Sequence, residues 1–138
     1  MVARCTGLAL LYILHTPRGE GEPGRYQSPE ISEEALLAFL SRYSEFFSAD
    51  SRHDLWIRSA ATGCMVIWDR HNDIFLYGDM AKFEEQLITL GFKMGVVPQI
   101  GEHIHHYRAE FDGDAAAVLA ALEWHWTPLR PEDQQFVP

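Results

Sequence analysis

The stretch 54-DLWIRSAATGCMVIWDRHNDIFLYG-78 decides how the rest of the chain is read. Three short runs rich in Ile, Leu, Val and aromatic residues, "DLWIRS", "CMVIWD" and "DIFLYG", are separated by "AATG" and "RHN", both of turn composition. Adjacent short strands with tight connections imply antiparallel hairpins. With "AATG" as the first loop, Ser59 faces Cys64, Ile57 faces Val66 and Leu55 faces Trp68. With His71 and Asn72 as the second turn, Trp68 faces Phe75 and Val66 faces Tyr77. One face then carries Leu55, Ile57, Cys64, Val66, Trp68, Phe75 and Tyr77. The other carries Trp56, Met65, Ile67, Ile74 and Leu76, with Arg58 and Asp69 among them.

Both faces are apolar, whereas an antiparallel sheet commonly leaves one to solvent. Helices can cover one face, and the second needs the N-terminal segment, the C-terminal tail, a ligand or another chain. Trp56, Ile67, Ile74 and Leu76 form the expected binding surface, and a symmetric homodimer is the simplest cover for it.

Upstream, the apolar run Leu8–Leu14 reads as a buried strand, since no A-x-A-like cleavage site follows it. The stretch "TPRGEGEPGRYQSPE" reads as a long mobile loop. Its Gly19, Gly21 and Gly24 spell GxGxxG, but Pro23 interrupts the motif and Glu20 and Glu22 would repel phosphate, so no dinucleotide site is expected. From Ser32, Leu36, Leu37, Leu40, Tyr43 and Phe47 recur at helical spacing. Downstream, Asp79 is placed to cap a second helix carrying Phe83, Leu87 and Leu90, ended by Gly91 with Phe92 behind it. "FKMGVV" and "HIHHYRA" read as further strands, and a third helix is expected from Asp114 to Trp126, burying Val118, Leu119, Leu122 and Trp126. The whole is an α+β two-layer domain with a mainly antiparallel sheet of five or six strands and about three helices. Its expected extent is 1–127, with 16–30 the mobile Gly/Pro-rich loop and 128–138 a C-terminal tail.

A chain of 138 residues, 47% hydrophobic, suffices for one core. The net charge of −9 argues against nucleic acid and anionic membranes as partners, and no stretch approaches the ~20 apolar residues of a membrane helix. Cys5 and Cys64 are too few for a disulfide framework and read as reduced thiols in a cytoplasmic protein. Cys64, within an apolar strand, is expected to be an inert thiol rather than a nucleophile.

The segment "EHIHHYRAEFD", 102–112, supplies the candidate chemistry. On a strand His103 and His105 share a face and stand close enough to chelate one divalent metal, provided a third ligand arrives from elsewhere. His71 and Asp69 of the "DRHND" turn are the expected third ligands, and that turn also offers an acid/base set. The leading expectation is a non-catalytic ligand-binding or protein-interaction module with no cofactor. The alternative is a small metal-dependent or acid/base enzyme that uses the histidine strand and the "DRHND" turn.

Overall fold

The computed structural model describes residues 7–97 and 104–133. Among them the chain forms six strands, β1 (Leu8–Leu14), β2 (Gly24–Gln27), β3 (His53–Ser59), β4 (Met65–Trp68), β5 (Ile74–Tyr77) and β6 (His125–Thr127). Three α-helices join them, α1 (Glu33–Ala49), α2 (Met80–Thr89) and α3 (Asp112–Ala121). All strand pairs are antiparallel, in the order β5-β4-β3-β1-β2-β6. This is the α+β arrangement anticipated, with α1 and α3 packed on one face of the sheet, but two of its strands come from unexpected places.

β1, the apolar run, lies inside the sheet between β2 and β3, pairing with β3 along its whole length from Leu8↔Ser59 to Leu14↔His53. Strand alternation sends Leu8, Leu10, Tyr12 and Leu14 to one face, where they join Leu55. Against them α1 packs Leu36, Phe39, Tyr43, Phe46 and Phe47, and α3 packs Ala115 and Val118. Ser32 caps α1 by accepting a hydrogen bond from Ala35 N–H at 3.0 Å. Leu37, expected on the buried stripe, is 58% exposed, because the stripe runs through Phe39 and Phe46 instead.

The "AATG" loop forms as read: Ser59 N–H donates to Cys64 O, Gly63 adopts φ +72°, and Leu55 pairs with Trp68. The second hairpin does not. Its loop is Arg70-His71-Asn72, with Asp69 N–H bonded to Asp73 O, Asn72 N–H to Asp69 O, and Asn72 left-handed at φ 63°. That is a three-residue connection with its last residue in the left-handed region, which Asn tolerates. The extra residue slips the register by one, so Trp68 pairs with Ile74 and Val66 with Leu76. A one-residue slip exchanges the faces of a strand. Ile74 and Leu76 therefore leave the proposed binding face and stand on the helix side, while Phe75 and Tyr77 take their places.

The segments read as strands at "FKMGVV" and "HIHHYRA" are not strands: residues 92–97 and 104–108 carry no regular structure. The sixfold sheet is completed by β2, from the stretch expected to be loop, and by β6, from beyond the end of α3. Trp126 thus belongs to β6 rather than to a helix. Gly24 explains why: a Cβ there would lie 2.0 Å from Trp126 Nε1, and the indole donates to Pro23 O at 3.2 Å. The last glycine of the GxGxxG is a packing position under a tryptophan.

α2 is capped as expected. Asp79 accepts from Lys82 N–H, Gly91 takes φ +94°, and Phe92 N–H and Gly91 N–H return to Leu87 O and Ile88 O. Yet α2 buries none of its residues, and the apolar side chains after it stay in solvent, Leu90 at 73% and Val96 at 96% exposure.

Replacing Gly24 by Val drives a branched side chain into the Trp126 ring. Urea unfolding of G24V is expected to show a loss of ~1–3 kcal/mol, the usual cost of overpacking. Gly95→Ala, where nothing stands within 4 Å, is expected to leave the unfolding midpoint unchanged.

Candidate functional site

On the sheet face opposite the helices, alternation presents Leu11 and Ile13 from β1, Arg25 and Gln27 from β2, Trp56 and Arg58 from β3, and Met65 and Ile67 from β4. Between them stands Ala9, the one small side chain on this face of β1. Where its neighbours Leu11 and Ile13 fill space, Ala9 leaves a depression of about 250 Å³ lined also by Trp56, Met65, Arg25, Gln27, Arg58 and Arg130.

Arg130 arrives with the C-terminal segment. A turn of 3₁₀ helix at Pro131–Asp133 buries Asp133, whose carboxylate accepts from the Arg25 guanidinium and, at 2.8 Å, from Arg130 N–H. The guanidinium carbon of Arg25 lies 5.8 Å from the centre of the Trp56 ring. Trp56 Nε1–H is buried and has no acceptor among the described residues. Of the residues expected to form a binding surface, Trp56 therefore lines the groove, Ile67 is only 7% exposed beside it, and Ile74 and Leu76 are on the other side. Arg58 stands on the face expected for it, but Arg25 and Arg130 were not anticipated. Arg58 stood in the quoted hairpin, but the pairing that brings Arg25 and Arg130 beside it joins residues far apart in the chain.

A second cluster forms at the "DRHND" turn. Asp69 Oδ1 accepts from the N–H groups of His71 and Asp73 at 2.9 and 3.0 Å, and Asp69 Oδ2 lies 3.3 Å from His71 Nδ1. One ligand atom from each of Asp69, His71 and Asp73 falls within 4.8 Å of the others, a group able to hold a metal ion. His105 joins them, its ring 5.1 Å from that of His71 and stacked on Tyr107. Behind the turn, Asp54 accepts from Arg70 N–H and lies 2.7 Å from His15 Nε2.

His103 lies outside the described residues, so its pairing with His105 has no structural counterpart here. His105 does not sit on a strand. Its segment is anchored instead by Ser51 N–H to His106 O and by Arg108 N–H to Asp50 Oδ2. The same-face argument for His103 and His105 is thereby replaced by a convergence of His105 with the turn. Cys64 is half-buried at the other end of the hairpin, where hydrogen bonds from Thr62 and from the Asp79 backbone lower its pKa. No histidine is hydrogen-bonded to it among the described residues.

The third polar cluster lies under the helices. Arg52 has no exposed surface and donates to Asp50, Glu20, Asp112 and the Arg108 carbonyl. Burial opposes its charge and that of Asp50, but the hydrogen bonds between them prevail, raising the pKa of Arg52 and lowering that of Asp50. Next to it His53 is enclosed by Tyr12, Phe46 and Phe47. Its Nδ1 and the Tyr12 hydroxyl are buried without partners among the described residues.

Comparison with protein-family models, with curated proteins and with solved structures finds no match for this chain. The molecule is thus defined by its own geometry: an antiparallel α+β sheet with a groove on its open face and a histidine-carboxylate cluster at one hairpin.

Burial lowers the His53 pKa to about 4, against the opposing pull of Asp50 and Asp54. The unfolded chain therefore binds a proton near pH 6.5 that the folded chain refuses until about 4. Stability from this residue is complete above about pH 6.5 and is lost as pH falls from there through about 4. Urea midpoints measured across that window are expected to fall for the wild type, and His53→Phe is expected to flatten the decline.

Proposed function

We propose that the chain is a non-catalytic ligand-binding module whose site is the groove on the open sheet face. The observation that carries this reading is the depression itself, about 250 Å³ over Ala9, with an aromatic ring, a thioether and three guanidiniums lining one concave place on the sheet. The groove is built on paired strands, the rigid part of the fold, as a preformed small-molecule site requires. Screening small molecules by thermal shift is expected to yield stabilising compounds, because a ligand bound only by the folded state raises its apparent stability. Gln27→Trp, at an exposed position on the rim, is expected to abolish these shifts. Shifts that survive this substitution place binding elsewhere and end the reading.

A second reading is favoured by the Asp69, His71 and Asp73 group, with the His105 ring beside it: a divalent metal held by one imidazole and two carboxylates, a ligand set suited to zinc, nickel or manganese. Metal added to chelator-treated protein is then expected to raise the melting temperature. His71→Ala removes the effect, and Asp69→Asn, which keeps the turn's acceptor but not the charge, weakens it. Metal-treated wild type that melts where the metal-free protein does rules this reading out.

The homodimer proposal moves with the register. Ile67 is covered within one chain, whereas Phe75 and Tyr77 on β5 and Leu90, Phe92 and Val96 after α2 are open. A second copy is the proposed cover for this surface. Light scattering at micromolar concentration is expected to give a dimer mass that Phe75→Glu or Leu90→Glu lowers; a wild-type monomer throughout that range rejects it.

A further inference from the structure

The lining of the open-face groove is charged with one sign. Arg25, Arg58 and Arg130 all border it, and Asp133 neutralises Arg25. Neither Arg58 nor Arg130 meets a carboxylate among the described residues. Two unpaired guanidiniums at one depression run against the −9 charge of the chain, whose acids elsewhere take up Arg18, Arg52 and Arg108. The site thus offers donors in excess of acceptors, with Ala9, Leu11 and Met65 as its apolar floor.

We infer that the groove takes a small organic oxyanion, a carboxylate or phosphate ester on a compact apolar body. Arg58 and Arg130 are its counter-charges, and the Trp56 side chain forms part of the wall. The inference rests on the reading of this groove as a binding site. A planar guanidinium meets an oxyanion through two parallel N–H donors, a fit that neutral ligands lack. The volume of about 250 Å³ falls below the usual ~300–1,000 Å³ of drug-sized sites, which limits the occupant to metabolite size. A peptide added as a strand is excluded at this place, because β1 and β3 under the groove are hydrogen-bonded on both edges.

Titration calorimetry at low ionic strength tests this with phenylacetate, phenyl phosphate, inorganic phosphate and neutral phenylacetamide. Phenylacetate or phenyl phosphate is expected to bind at least ~10-fold more tightly than phenylacetamide, a difference of about 1.4 kcal/mol. Whichever of the two binds better identifies the oxyanion. Arg58→Gln and Arg130→Gln, both at exposed positions, are each expected to remove most of that preference, and added salt to weaken what remains. The inference is overturned if phenylacetamide binds as well as phenylacetate, if the preference survives both arginine substitutions, or if inorganic phosphate alone matches phenyl phosphate. Neutral compounds that Gln27→Trp displaces, with no preference for anions, defeat the oxyanion while leaving the groove as a binding site. Absence of any compound displaced by Gln27→Trp defeats both.

Discussion

A guanidinium without exposed surface is tolerated only when its donors are met, and the positions of the helices on this sheet follow from how Arg52 meets that demand. Its Nε and Nη2 clasp the two oxygens of Asp50 at 2.8 and 2.9 Å, Nη1 reaches Glu20 at 3.1 Å, and Nη2 also reaches the Arg108 carbonyl and Asp112. The face of Phe46 lies 5.5 Å from its guanidinium carbon. Those partners come from the end of α1, the loop after β1, the approach to α3 and α3 itself. One side chain at the entry to β3 therefore ties both core helices and the Gly/Pro-rich loop to the sheet. Removing a single partner from such a buried pair costs about 3–5 kcal/mol, because the remaining charge stays buried and uncompensated.

This constraint orders what lies around it. Asp50 is also the C-cap of α1 and the acceptor for Arg108 N–H, so the end of the helix and the segment carrying His105 are fixed by one carboxylate. That anchoring holds residues 106–108 against 49–52 and leaves His105 beside His71. The histidine-carboxylate cluster is thus a consequence of the buried ion pair, reached through the backbone rather than through a strand. On the other side of the sheet, Arg25 and Asp133 do the same for the C-terminal segment, and Arg130 is delivered to the groove by it.

What the sequence revealed was what neighbours in sequence determine. β1 from Leu8 to Leu14, the helical pattern from Ser32, the Asp79 and Gly91 ends of α2 and the "AATG" hairpin each depend on residues within a few positions, and each could be read directly. The second hairpin failed by one residue because Asn72 accepts a left-handed conformation, so two-residue and three-residue turns were equally compatible with "DRHND". β2 and β6 escaped notice because they are short and their pairing is non-local: Gly24–Gln27 is a strand only because β1 and β6 flank it, and His125–Thr127 only because Gly24 leaves room for Trp126. The site was legible in fragments. Trp56 and Arg58 were on the right face, and His71, Asp69 and His105 were named together, but Arg25, Arg130 and the buried Asp50–Arg52 pair carry no local signal. "SADSRHDL" looks like any polar helix exit until the chain returns to enclose it.

The open face also resolves the difficulty of a hairpin apolar on both sides. Cover is supplied unevenly. The helix layer packs over β1, β3 and the near part of β4, and leaves β5 largely bare, with Ile74 and Phe75 exposed on opposite sides of the same strand. The face away from the helices is shielded at its other end by the C-terminal segment, and its middle keeps the depression over Ala9. An arginine pair left unpaired at that point, in a chain of net charge −9, concentrates positive potential in the depression, and a concave site focuses such a field more than a flat one.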